Sequence, residues 1–416
     1  MKRLEHFLWQ PLGIIAVFAL AACGEEPTPV QPIRELKLVA KDGAANDSFG
    51  ASVGISKDTA IVGAVWDDDM GTDSGSAYVF VRGDDGTWSQ QAKLLAPDGK
   101  ENDAFGFSVD ISEDTAIVGA TNASENGVAM GAAYVFVRTG SEWKLEAKLL
   151  PSVGATDDQF GFAVALDGEI AIIGAPADDE IAMDAGAAYT FKRSGTSWIE
   201  QAKLVPAPGG MAGYFGAAVA ISASSTLVGA WDDGSGKNRG IAFVHTTDGA
   251  SWISQATLQA NDIADGDTFG YSVGLSGDAA IVGAIGHDAS GTDGGAAYLF
   301  VRSKDQWSQE DKLLPADATP KDAFGSSVAI WDDLATVGAY WDDDRGDYSG
   351  SAYTFSKTNG HWIEQGKHAP LDGVAGQKFG CAASLDGDLA IVGAYGDNDF
   401  GDESGSAYVF SVLDSP

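Results

Sequence analysis

The chain has 416 residues, 60 of them acidic and 25 basic, for a formal net charge of −35. Nucleic acids and anionic surfaces need a basic footprint, so neither is an expected partner. Two cysteines cannot staple a chain of this length, so a large core must carry the fold.

In chain order, the first segment reads as an address. Lys2 and Arg3 precede an apolar run from Leu12 to Ala22, too short for a membrane span of about 20 residues. Leu20-Ala21-Ala22-Cys23 resembles the bacterial lipobox, which implies cleavage before Cys23 and lipid on its thiol. Residues 1–22 are therefore expected to be a lipoprotein signal peptide. Residues 23–32 follow as lipidated Cys23 and a proline-rich tether. The product would be exported and lipid-anchored to a bacterial cell envelope. Gly24 in place of an aspartate favours the outer membrane of a Gram-negative cell.

From residue 33 a repeat dominates. Phe-Gly occurs at Phe49, Phe105, Phe160, Phe215, Phe269, Phe324 and Phe379, in steps of 54 to 56 residues. A Gly-Ala pair follows each at an offset of 14, as at Gly63 and Gly119. An aromatic then recurs (Tyr78, Tyr134, Tyr189, Phe243, Tyr298, Tyr353, Tyr408), and in most units a tryptophan such as Trp88. Each unit holds four strand-like runs, in the first FGASVGIS, TAIVGA, GSAYVFVR and WSQQAKLLA. The second run is apolar at successive positions, as in a strand covered on both faces. Seven such units predict an all-β, seven-bladed β-propeller of four-stranded antiparallel blades over 33–416. The seventh unit stops after its third strand, while Ile33 to Ala40 matches a fourth, with Lys37 aligned to Lys93. The N-terminal strand is thus expected to join the C-terminal blade and close the ring.

At this level the chain resembles the FG-GAP repeats of integrin α-chain propellers and their bacterial relatives, over essentially all of 33–412. Calcium-bearing members of that family carry an Asp-x-Asp-x-Asp-Gly loop between the first two strands. Here that connection is a tight turn, such as Ser56-Lys57-Asp58-Thr59, so the family's metal site is not carried over.

The acids gather in the loops joining strands two to three and four to one, which should share one face. Asp67, Asp69 and Asp73, then Asp342, Asp344 and Asp347, then Asp397, Asp399 and Asp402 are closely spaced there. Turn chemistry and solubility account for such loops. The sharper alternative is Ca²⁺ held by these carboxylates. Lysines recur instead on the fourth strand (Lys37, Lys93, Lys148, Lys203, Lys312, Lys367), which reads as a charged, solvated outer edge. Cys381 stands where other repeats place Ala, Phe, Ser or Tyr, and reads as a small buried residue.

Trp66, Trp231, Trp341 and Tyr395 follow the Gly-Ala pairs beside the acidic loops. Such rings either pack between blades or line a sugar or peptide site. His287, beside Asp288, is the histidine best placed for a ligand. The fourth unit departs from the pattern, with an acid-free loop from Gly209 to Tyr214. No nucleophile elbow or metal-binding histidine pair stands out, so a non-enzymatic role is preferred. The first reading is a lipid-anchored, monomeric adhesion or binding module for protein or carbohydrate, with cations assisting on its acidic face. A polysaccharide hydrolase or lyase using the same carboxylates is one alternative; a purely structural envelope protein is another.

Overall fold

The computed structural model describes residues 35–206 and 212–413. The expected signal peptide, Cys23, the tether, and Gly209, Gly210 and Met211 lie outside the described residues. Among the described residues there is no helix; seven four-stranded antiparallel sheets form the blades of a propeller. In the first blade the strands are Phe49–Ser56, Thr59–Ala64, Ser76–Arg82 and Trp88–Leu94. The Phe-Gly strands of all seven blades line one central channel, which makes them the innermost. The seventh blade takes its outer strand from Leu36–Leu38, with Lys37 opposite Tyr408. A bridge between Phe49 and Gly405 joins the seventh blade to the first, as Gly75 and Phe105 join the first to the second.

The repeat motif makes the joints. The second strand is buried along its whole length, as its unbroken apolar run requires. Each core cluster spans neighbouring blades: Ile61 and Val79 of the first pack with Phe105, Val118 and Tyr134 of the second. Phe105 meets Tyr134 edge-on, with ring centroids 5.4 Å apart. Glycine is obligatory at the joint, because a Cβ on Gly63 would lie 2.1 Å from the Gly106 carbonyl oxygen. At the outer rim the tryptophans reach back one blade: Trp143 Nε1 donates to Gln91 Oε1 at 2.8 Å, and Trp307 to Gln255 at 2.9 Å.

Candidate functional site

The acidic face is built from a clamp repeated around the ring. Strand register places Tyr78 opposite Lys93, Tyr134 opposite Lys148, Tyr189 opposite Lys203, Tyr298 opposite Lys312 and Tyr353 opposite Lys367. Each lysine rises along its tyrosine into the loops above. Lys93 Nζ lies 3.0 Å from Asp42, 2.8 Å from Asp67 and 2.6 Å from Asp69. Lys367 takes Asp317, Asp342 and Asp344 in the same way, and Lys37 takes Asp372, Asp397 and Asp399. The Tyr78 hydroxyl completes the group by donating to Asp67 Oδ2 at 2.9 Å. Burial opposes ionisation of these groups, yet the carboxylates raise Lys37, Lys93 and Lys367 above the ordinary lysine range. Against the same burial cost, the ammonium groups hold Asp42, Asp317 and Asp397 below the ordinary carboxylate range.

This corrects the reading of the lysines as a solvated outer edge. The Lys367 side chain is only 12% exposed, because its ammonium lies 5.3 Å over the Tyr353 ring and is enclosed by acids. It also bears on the Ca²⁺ expectation. Asp67 with Asp69, Asp342 with Asp344, and Asp397 with Asp399 do converge, but on a lysine. Asp73, Asp347 and Asp402 stand at the far ends of the loops and lend main-chain carbonyls to the next loop. Ca²⁺ needs six to eight oxygens; the oxygens of Asp372, Asp397 and Asp399 lie within 4.8 Å of one another and could supply three, but that set is already centred on the Lys37 ammonium.

Four blades vary the clamp: the second has Ala123 at the buried-aspartate position, with Glu125 on Lys148, and in the third the Val153 carbonyl accepts from the Tyr189 hydroxyl. In the fifth, His287 replaces the buried aspartate, with Nε2 3.0 Å from Lys312 Nζ and Nδ1 accepting from the Ala289 amide. Burial, then Lys312, hold this imidazole below its ordinary range, so it is a neutral clamp member on the loop face. In the fourth, Phe243 stands opposite Thr257, and both the hydroxyl and the ammonium are gone. Trp231 of that blade stacks flat on Tyr214, 3.9 Å between centroids.

Inside the ring of clamps the central channel opens to the same face in a mouth of about 430 Å³. Its wall comes from blades five, six, seven, one and two, mostly from the residue after Phe-Gly and the residues after Gly-Ala. Trp66, Tyr395, Tyr340, Tyr271 and Phe107 supply rings, with Cys381 and Ser326 between them. Of the residues singled out from sequence, Trp66 and Tyr395 are brought together here. Trp341 lies outside the lining, against Tyr340 and Tyr348, and Trp231 packs within its own blade. Phe107, Tyr271 and Tyr340 were not singled out. The signal for Phe107 and Tyr271 was the variable position following Phe-Gly, the same one noted for Cys381, and for Tyr340 the position following Gly-Ala. Burial pushes the Cys381 thiol up to about 11, and its sulfur donates to the Gly50 carbonyl at 3.4 Å, so it packs as a neutral group. Across the wall, Lys378 pairs with Glu403 at 3.0 Å and sits 4.3 Å over the Tyr395 ring.

Fold and mouth together define a propeller with a ligand-sized, aromatic-lined opening on one face. The FG-GAP repeat family matches seven times, over residues 33–80, 88–136, 143–191, 198–245, 252–300, 307–355 and 362–410. The chain belongs to that family. The matched unit is offset from the blade: each begins on an outer strand and ends on the third strand of the next blade. No curated protein gives a significant match.

Proposed function

We propose that this chain is a non-enzymatic binding module, exported and tethered through Cys23, that takes a protein or carbohydrate ligand at the mouth on its acidic face. One observation carries the reading: rings from five different blades, Trp66, Phe107, Tyr271, Tyr340 and Tyr395, surround one opening of about 430 Å³. That is within the usual range of about 300–1,000 Å³ for ligand sites, and it combines ring faces with a few polar heads. Packing alone does not account for Trp66, which is 40% exposed at the rim. Polysaccharide cleavage would need free carboxylates facing the bound chain. Among the described lining residues the one carboxylate is Glu403, already paired with Lys378.

The test is an array of glycans and extracellular proteins probed with the intact chain and with Trp66→Ala. A ligand captured by the first and lost by the second supports the reading. Capture that Trp66→Ala leaves unchanged overturns it. The anchor is tested separately by membrane fractionation of Cys23→Ser, which is expected to release the protein from the envelope.

A further inference from the structure

We infer that the mouth selects a neutral, polyhydroxylated ring, a pyranose unit, over charged or purely apolar ligands. This rests on the binding-module reading above and narrows it. The wall has two unlike sides. Blades one and two contribute Ala51, Val65, Trp66 and Phe107, which offer apolar surface and ring faces. Blades five to seven contribute Tyr271, Tyr340 and Tyr395, with the Ser326 hydroxyl. Phe162 extends the apolar side, its ring 4.9 Å from that of Phe107.

The phenols decide what the ligand must offer. Six tyrosines elsewhere in the ring stand opposite lysines in the clamps. The mouth tyrosines are different. Tyr271 and Tyr340 face the mouth instead, and Tyr395 lies under Lys378, whose Nζ is 4.3 Å from the ring centroid. None of the three reaches a carboxylate among the described residues. A wholly apolar ligand would strip water from these heads and return nothing, which is costly.

Charge removes two further classes. The chain carries −35, and the clamps crown the same face with acids, so an anion meets an unfavourable field on approach. A cation is drawn by that field, but the wall gives it no anchor, because the one lining carboxylate, Glu403, is held by Lys378, which also covers the Tyr395 ring. Burial keeps the phenols and the Cys381 thiol protonated, so the remaining wall is uncharged. A pyranose suits both sides, because its C–H face packs on an aromatic ring while its hydroxyls donate to and accept from phenols.

The experiment is a titration of the intact chain with methyl glycosides of glucose, galactose, mannose and N-acetylglucosamine, followed by tryptophan fluorescence and calorimetry. Glucuronate and glucosamine are the charged comparators. At least one neutral glycoside is expected to saturate, with affinity unchanged between roughly 50 and 500 mM salt. The matched charged sugar is expected to bind at least about tenfold more weakly at low salt. Tyr340→Phe and Tyr271→Phe keep the rings and should fold, as melting curves would verify. Each is expected to weaken the neutral glycoside by about fivefold or more through loss of a hydroxyl. Equal or tighter binding of a charged sugar, binding indifferent to both Tyr→Phe changes, or no binding of any neutral glycoside overturns the inference. If the array still yields a ligand that depends on Trp66, the binding-module reading survives that failure; if none depends on it, both fall.

Discussion

Lys367 and Asp342 form the most enclosed of the clamps, with 12% and 3% of their side chains exposed. Removing the ammonium leaves buried negative charge with no countercharge, a loss of about 3–5 kcal/mol for a fully buried pair. Because Asp317 and Asp344 face water, Lys367→Met should cost somewhat less, about 2–3 kcal/mol, read as a lower urea midpoint at unchanged slope. Lys57→Met is the control. It breaks an ion pair with Glu113 in which both side chains are 69% exposed, so the midpoint should stay where it is.

Asp110 gives a pH signature of the opposite kind. It faces the central channel, half-buried, and accepts from the Ile111 and Leu166 amides; burial pushes its carboxyl up to about 7. The folded state therefore holds a proton that the unfolded chain releases near the ordinary value of 3.8. Stability from this group is fullest below that pH and is lost as pH rises through about 7. Asp42, Asp317 and Asp397, whose carboxyls are lowered, behave inversely: their contribution is present above about 4 and is lost on further acidification. Asp110→Asn should remove a decline of up to roughly 1 kcal/mol per pH unit between about pH 4 and 7, measured by paired denaturation curves. It should leave the acid limb in place. An unchanged slope between those pH values would assign the decline to other groups.

The element that separates this chain from a plain tandem repeat is the short outer strand Leu36–Leu38. It covers the edge of Ser406–Ser411 and also carries Lys37, the ammonium of the seventh clamp. Deleting residues 33–40 should therefore expose a strand edge and leave Asp397 buried without its partner. A lower melting temperature and concentration-dependent association are expected, seen by sedimentation. A synthetic peptide of residues 33–40 should reverse both. If the truncated chain stays monomeric with an unchanged melt, the strand is dispensable.

That strand was legible in the sequence because Lys37-Leu38 aligns with Lys93-Leu94 and the seventh unit lacks a fourth run. The blades were legible for a similar reason: a fixed period over seven units leaves few other architectures. The clamps were half legible. Tyrosine and lysine were both seen to recur, but their partnership depends on strand register, which places Tyr78 opposite Lys93. It also depends on Asp42 arriving from the loop of the preceding repeat. The mouth was least legible, because its side chains come unevenly from five of the seven blades, and the second and fifth supply only one each. Trp66 announced itself by size. Tyr271 and Phe107 sit where Ala51 and Cys381 sit in other blades, and that mixture looks like tolerance until the ring brings the positions to one opening.

At the scale of the whole molecule, two electrostatic effects of opposite sign compete. The charge of −35 works against compaction, while the clamps hold specific acids to specific lysines. Distance decides how salt acts on each. At about 0.15 M the screening length is about 8 Å, so repulsion between loops of different blades is damped. The clamp contacts of 2.6–3.0 Å on Lys93 are far shorter and partly buried, and are screened much less. Added salt should therefore raise the melting temperature rather than lower it. Calcium sharpens the point. A site occupied at 100 times its dissociation constant would add about 2.7 kcal/mol, an easily measured shift. Because the convergent carboxylates are centred on Lys37, Lys93 and Lys367, Ca²⁺ and Mg²⁺ at equal ionic strength should stabilise the intact chain equally, as screening ions. Lys93→Met should change that balance by freeing three carboxylates, making the variant more responsive to Ca²⁺ than the natural chain. A saturable, calcium-specific rise in the unmodified protein would mean that the clamps surrender their lysines to the metal. The acidic face would then be a cation site after all.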